Sequence, residues 1–250
     1  MPPWGMHMVV ARELAPNVLR GAVASRSGAY YLGATTPDIR ALVKWDRSET
    51  HFFDLQCFDE QSGVARVFEA HPELSCASEV NAETAAFVCG YISHLEMDEA
   101  WIEEVYRPCF GERSPLKGEL LAGLLDRVLQ FELDRASRDG EPALTEIRQA
   151  LLETAVDAID CFIDRETLAR WRDLNADLIC TQPDWERFRG NVSRHLRSFG
   201  VESDADIAHL IDNIPDLVDQ SVREVTPERL NTFQERSRQR ASKAIRDYIG

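Results

Sequence analysis

One unbroken stretch, residues 82–106, AETAAFVCGYISHLEMDEAWIEEVY, constrains the fold more than any other part of the chain. It holds no proline, and its apolar residues recur at helical spacing, so it is predicted as a helix that belongs in a core. Asn81 or Ser78 can cap its start, Glu83 stands in its first turn, and Pro108 requires it to end by Arg107. In its middle stand His94 and Asp98, four residues apart and so on one face. Phe87, Tyr91 and Trp101 or Ile102 share that stripe, which sets the pair among apolar neighbours. Gly90, one turn earlier, lets another backbone come close. A buried aspartate needs a strong partner, because left alone it is costly or takes up a proton. A metal ion is one such partner: the pair offers one nitrogen and one or two oxygens, a set that suits zinc or a similar divalent ion. A direct hydrogen bond between the two, without metal, is the other reading of the pair by itself.

The rest of the chain reads as helices joined by short loops. Residues 6–15 form a helix that stops near Pro16, and a second long helix runs from about Pro115 to Ala136. Residues 28–40, GAYYLGATTPDIR, carry two glycines and a proline and read as a loop, and SRDGEP, 137–142, reads as a turn or short linker. Thr145, Asp164, Ser203 and Thr226 are N-cap candidates, and Pro227 suits a first helical position. HFFDLQCF is the single strand candidate. The expected fold class is therefore all-α. The expected organisation is a metal-binding helical lobe over 1–136 and a C-terminal helical extension over 143–250, packed on the first as one unit.

Charge narrows the partners. The 250 residues carry 28 Lys and Arg against 43 Asp and Glu, a net charge of −15. Such a surface repels nucleic acid and anionic lipid, so neither nucleic-acid binding nor stable membrane association is expected. A phosphate-bearing small molecule is not excluded, because a local metal charge outweighs a distant field. No apolar run reaches the ~20 residues that span a bilayer, and MPPWGMHMVVARELA has none of the parts of a secretion signal. A cytoplasmic location is expected, with the six cysteines reduced and mostly buried.

Further ligand candidates lie upstream of the long helix. His7, in WGMHMVVA, and His51, in ETHFFDL, sit in apolar or aromatic settings. His71, in AHPEL, reads as a loop residue, while His195 and His209 sit among charges and read as surface. Asp38, in LGATTPDIR, reads as a turn residue or helix cap, or as a carboxylate ligand given its position between His7 and His51.

Taken in order, these residues resemble a known family. His7 in its apolar helix, Asp38 in LGATTPDI, His51 in THFF, and His94 with Asp98 in GYISHLEMD resemble the motifs of the zinc-dependent phospholipase C family. That family shares its fold with the P1/S1-type nucleases, and the resemblance covers about residues 4–105. It implies a multi-helix phospholipase C/P1 nuclease-like domain with additional C-terminal helices. It also implies a centre of two zinc ions, with iron or manganese as alternatives. His51, His94 and Asp98 would hold one ion, His7 and the other oxygen of Asp98 the second. Asp38 would ligate the first ion and act as base or orienter of a water. In such a centre two divalent ions acidify a water and stabilise charge at phosphorus. The implied activity is hydrolysis of a small soluble phosphate monoester or diester. A metal-binding protein without catalysis, amide hydrolysis and an iron-dependent oxidation are the alternatives, and a homo-oligomer is left open.

The chain also departs from the family. Trp4 follows Met-Pro-Pro, so its nitrogen is an amide and only its carbonyl is a candidate ligand. The helix after Asp98 lacks the histidines of the family's third metal site, and Glu104, Asp126, Glu132 and Asp134 read as solvated or salt-bridged side chains, with oxygen ligands in place of those histidines as the alternative. Trp171 and Trp185, beside arginines, read as core tryptophans or as a pocket lining.

Overall fold

The structure, a computed structural model, describes residues 2–55, 57–59, 61–117, 120–138, 143–198 and 201–250, without the side chains of 191, 195, 198, 210 and 211. Every regular element among the described residues is a helix, and none is a strand. The chain runs through α1 (Trp4–Val18), α2 (Ser27–Gly33), α3 (Ser48–His51), α4 (Gly63–Ala70), α5 (Ala82–Trp101) and α6 (Leu120–Arg138). It continues through α7 (Ala143–Leu152), α8 (Arg165–Ile179), α9 (Trp185–Ser198), α10 (Asp204–Asp212), α11 (Ile214–Val225) and α12 (Pro227–Ile249). None of these helices is long and apolar enough to cross a membrane.

Helix α5 is the axis of the fold. Asn81 caps it by accepting from the Thr84 N–H at 2.8 Å, and every residue from Thr84 to Trp101 is buried. It is flanked chiefly by α2 and α12. Pro108 does not stop the chain's helical course as expected: the backbone widens into a π-helical stretch, Ile102–Phe110, with Pro108 inside it. Pro16 likewise lies within α1, in its last turn, where a missing ladder bond costs little continuity.

The loop expected over 28–40 is instead α2 followed by a 3-10 turn, Thr36–Ala41. The two glycines serve packing and not a bend. A Cβ on Gly33 would lie 1.9 Å from the Phe87 carbonyl oxygen, and one on Gly90 would lie 1.9 Å from that of Tyr30. The backbones of α2 and α5 touch through this reciprocal pair, as the spacing of Gly90 suggested. Gly28 makes the same approach to α7, 2.0 Å from the Ala150 oxygen.

HFFDLQCF forms no strand: His51 ends α3, Phe52 adopts a left-handed φ of 54°, and the rest of its described residues are irregular. Asp164, Ser203 and Thr226 accept the expected capping bonds, whereas Thr145 lies inside α7. Residues 139–142 of the expected SRDGEP turn lie outside the described residues. Helices on either side of them pack together, α7 on α2, α11 on α6 and α12 on α5. Arg240 of α12 reaches three glutamates of the α5 region, Glu96 at 2.7 Å, Glu99 at 2.8 Å and Glu103 at 2.9 Å. Trp101 meets Phe233 edge-on at 5.0 Å.

Candidate metal centre

Five side chains from four segments meet beside and on α5. They are His7 of α1, Asp38 of the 3-10 turn, His51 at the end of α3, and His94 and Asp98 of α5. Asp98 is the hub. Its Oδ1 lies 3.4 Å from His7 Nε2, and its Oδ2 lies 3.4 Å from His51 Nε2 and 3.7 Å from His94 Nε2. Asp38 Oδ1 is 3.5 Å from His51 Nε2. The donor atoms fall into two overlapping sets that could each hold an ion, His7–His94–Asp98 and Asp38–His51–His94. His94 is common to both sets and Asp98 belongs to the first, while the two oxygens of Asp98 face different histidines.

The surrounding backbone explains why the rings point this way. The glycine contact between α2 and α5 brings the Ala34 carbonyl within 2.9 Å of His94 Nδ1. A carbonyl only accepts, so His94 carries its proton on Nδ1 and turns a lone pair inward from Nε2. His51 is oriented in a similar way. The Thr50 hydroxyl donates to the Arg47 carbonyl at 3.4 Å and accepts from His51 Nδ1 at 2.9 Å, leaving Nε2 free. Tyr91 fixes the same residue by donating to the Thr50 carbonyl. His7 stacks flat on His94, with ring centroids 3.7 Å apart.

The residues fit a cation by the atoms they leave unpaired. Nε2 of His7, His51 and His94 and Oδ1 of Asp98 are all buried and have no hydrogen-bond partner. Buried polar groups are rarely left so, and here they converge on one another. Burial pushes the His94 pKa down to about 3, with His7 adding to the effect, and burial also lowers that of His51. Both imidazoles are neutral at pH 7, the state that binds metal. Burial alone would raise the two carboxylates, but the neighbouring groups prevail. His94, His7 and Arg47 hold Asp98 well below the usual range, and His51 and His94 bring Asp38 to about 2.

Arg47 gave no signal in the sequence. It precedes His51 by one helical turn, and its Nη2 donates to Asp98 Oδ2 at 3.0 Å. Its Nε and Nη1 are buried without partners. The other candidates take no part. His71 stacks on Phe162 at 4.1 Å, His209 is exposed on α10, and the side chain of His195 lies outside the described residues. Glu104 pairs with Arg236, Glu132 with Arg135 and Asp134 with Arg138, while Asp126 accepts from Trp101 and Gln130. Trp4 opens α1, so its carbonyl belongs to the helical ladder, which argues against it as a ligand. Trp171 is buried, and Trp185 packs half-buried against Phe131 and Phe188.

No family model matches the chain, and no curated protein and no solved structure matches it.

Proposed function

We propose that the chain is a metal-dependent phosphoester hydrolase, akin to the zinc-dependent phospholipase C family in its ligand set, acting on a small soluble phosphate ester. The observation that carries this reading is one juxtaposition. Three buried imidazole nitrogens and a shared carboxylate, all unpartnered toward one another, lie beside a buried guanidinium with spare N–H groups. The first group calls for cations and the second for an anion. A phosphoryl group is an anion that both can hold at once.

His7, His51, His94, Asp38 and Asp98 would hold the metal, zinc being the first choice and iron or manganese the alternatives. Bound there, one or two divalent cations would acidify water and draw charge off phosphorus. Arg47, anchored on Asp98, offers Nε–H and Nη1–H to a phosphoryl oxygen. Asp38 is the ligand nearest solvent, with its side chain 26% exposed against 3% or less for the other four. Substrate and water therefore reach the centre past Asp38, where its free oxygen can orient the attacking water and accept its proton.

The test is Asp38→Asn, with metal content and turnover of bis(4-nitrophenyl) phosphate measured on the same preparation. The variant should keep at least one ion and lose at least about 99% of the rate, the scale of one general base. Full activity in the variant removes Asp38 from the chemistry. Metal-loaded wild type that turns over no phosphate ester rejects the hydrolase in favour of a binding protein.

A further inference from the structure

The two donor sets cannot both be filled as they stand, because His94 belongs to each. Its Nδ1 is held by the Ala34 carbonyl at 2.9 Å, so it has one lone pair to offer, on Nε2, and serves one ion. The angles between the rings decide which. An imidazole lone pair lies in the plane of its ring, so a bound ion lies near that plane. His7 and His94 are nearly parallel, 10° apart with centroids at 3.7 Å. An ion placed between such stacked rings stands off the plane of both. His51 and His94 instead cross at 67° with centroids at 5.3 Å, and crossing planes can meet at one ion. His94 therefore goes with His51, and His7 is left to serve a different ion.

The spacing of the donor atoms agrees with this grouping. Ligands at the corners of a tetrahedron with bonds of about 2.0–2.2 Å are roughly 3.3–3.6 Å apart. His51 Nε2 lies 3.5 Å from Asp38 Oδ1 and 3.4 Å from Asp98 Oδ2, and His94 Nε2 lies 3.7 Å from the same Asp98 oxygen. His7 Nε2 lies 3.4 Å from Asp98 Oδ1, the other oxygen of that carboxylate.

The two positions are unequal. The first has four protein donors, Asp38, His51, His94 and Asp98 Oδ2, and the first three remain even where Arg47 keeps Oδ2 for itself. The second has two, since Asp98 is the one carboxylate paired with His7 among the described residues. Asp134, another buried carboxylate near α1, is ion-paired with Arg138 at 2.5 Å and lies against Gly5. A four-coordinate ion beside His7 would thus keep two positions for ligands from outside the chain.

We propose that the two cation positions load in sequence, and that the second ion, at His7 and Asp98 Oδ1, binds weakly until a phosphoryl group supplies its missing ligands. The phosphate ester is then a co-ligand of that ion as well as the substrate. By linkage, the ion tightens the phosphoryl group by the same factor as the phosphoryl group tightens the ion. The centre stays one ion short until an ester is in place, which couples its assembly to substrate. The inference rests on the phosphoester reading for the identity of the co-ligand, while the inequality of the two positions rests on ring angles and donor counts.

The experiment titrates zinc into the full chain, stripped of metal, in competition with a chromophoric chelator. It is run with and without methylphosphonate, a phosphoryl probe that is not hydrolysed. Losing even a partner of a metal ligand costs about 10–100-fold in affinity, so without the probe the second ion should bind at least about 10-fold more weakly than the first. Methylphosphonate should tighten the second ion by about 5–150-fold, the usual range of coupling between sites, and leave the first unchanged. His7→Ala should keep the tight ion and lose the one that responds to the probe. Two ions of equal affinity in wild type, or a second ion that methylphosphonate does not tighten, overturns the proposal without any variant having to fold. Loss of the tight ion in His7→Ala, with the responsive one kept, overturns it as well. Coupling in a protein that turns over no phosphate ester supports sequential loading and rejects the hydrolase. Turnover by a protein with two equal positions does the reverse, so the two failures are distinct.

Discussion

Replacing Asp98 by Ala tests the centre most directly, because one carboxylate serves three histidines and an arginine. In metal-free protein the loss leaves Arg47 opposite nothing. Its side chain is 13% exposed, and its one hydrogen bond within the centre is to Asp98 Oδ2. Stripping a buried charge of its partner costs about 3–5 kcal/mol. A kcal/mol moves the midpoint of a domain this large by about 2–4 °C, so the variant should melt roughly 6–20 °C below wild type after chelation. Metal adds a second, independent difference. At a hundredfold excess over its Kd, zinc should stabilise wild type by about 2.7 kcal/mol, or roughly 5–11 °C. The variant has lost the carboxylate common to the histidines and should gain almost nothing. Melting followed by circular dichroism, with and without zinc after chelation, gives both numbers, and elemental analysis gives the stoichiometry. A variant that keeps the metal content and zinc shift of wild type refutes the bridging role. A metal-free loss below about 1 kcal/mol refutes the buried pair, since that is the scale of an exposed ion pair.

Four further outcomes follow from the surroundings of particular residues. Thr50→Val removes the hydrogen-bond partner of His51 Nδ1 and should weaken zinc binding about 10–100-fold with little change in fold, read by competition with a chromophoric chelator. Gly90→Ala drives a methyl into the Tyr30 carbonyl and should cost about 1–3 kcal/mol in urea unfolding. Gly123→Ala, on an open face of α6, should by contrast stabilise by up to about 1 kcal/mol. Arg240→Met leaves Glu96, Glu99 and Glu103 without their shared cation; with Arg240 partly exposed, the cost should be about 2–4 kcal/mol at pH 8. Burial raises the Glu99 pKa to about 7 against its usual 4.5, so its favourable contribution is complete below pH 4.5 and is lost as pH rises through 7. The variant's deficit should therefore shrink when the same measurement is made at pH 5; a deficit independent of pH would show that Glu99 does not titrate there.

How much of this was legible in the sequence depends on what each residue signals locally. His94 and Asp98 could be read because four-residue spacing on an apolar helix fixes their common face. That Asp38, His7 and His51 belong with them came through the family resemblance, since nothing in their own neighbourhoods specifies a meeting point. Arg47 was missed because its role depends on a four-residue helix, α3, too short to show a period. The loop expected over 28–40 shows the same limit from the other side. Glycine signals a turn when the chain is read alone, but Gly28 and Gly33 are helical positions where a neighbouring backbone lies closer than any side chain allows. That error matters, because the contact at Gly33 and Gly90 also brings the Ala34 carbonyl to His94 and so sets the nitrogen it presents.

The anionic substrate proposed for a chain of charge −15 looks contradictory until charge is counted by depth. Exposed charges farther than a Debye length, about 8 Å at physiological ionic strength, are largely screened. Those within the centre are not, because the carboxylates and imidazoles there lie under the helices that pack on α5. With Asp38 and Asp98 ionised, the centre is negative without metal apart from Arg47, a charge that would favour cations. Two divalent ions reverse that sign and leave a local excess of positive charge beside Arg47. On the proposed reading the acidic surface would then concentrate the cations, and the loaded centre, not the surface, would hold the anion. The same sign reversal separates the proposed enzyme from a simple store of metal ions. A store needs only the carboxylates and imidazoles, whereas a buried guanidinium with spare N–H groups disfavours a nearby cation unless an anion comes with it.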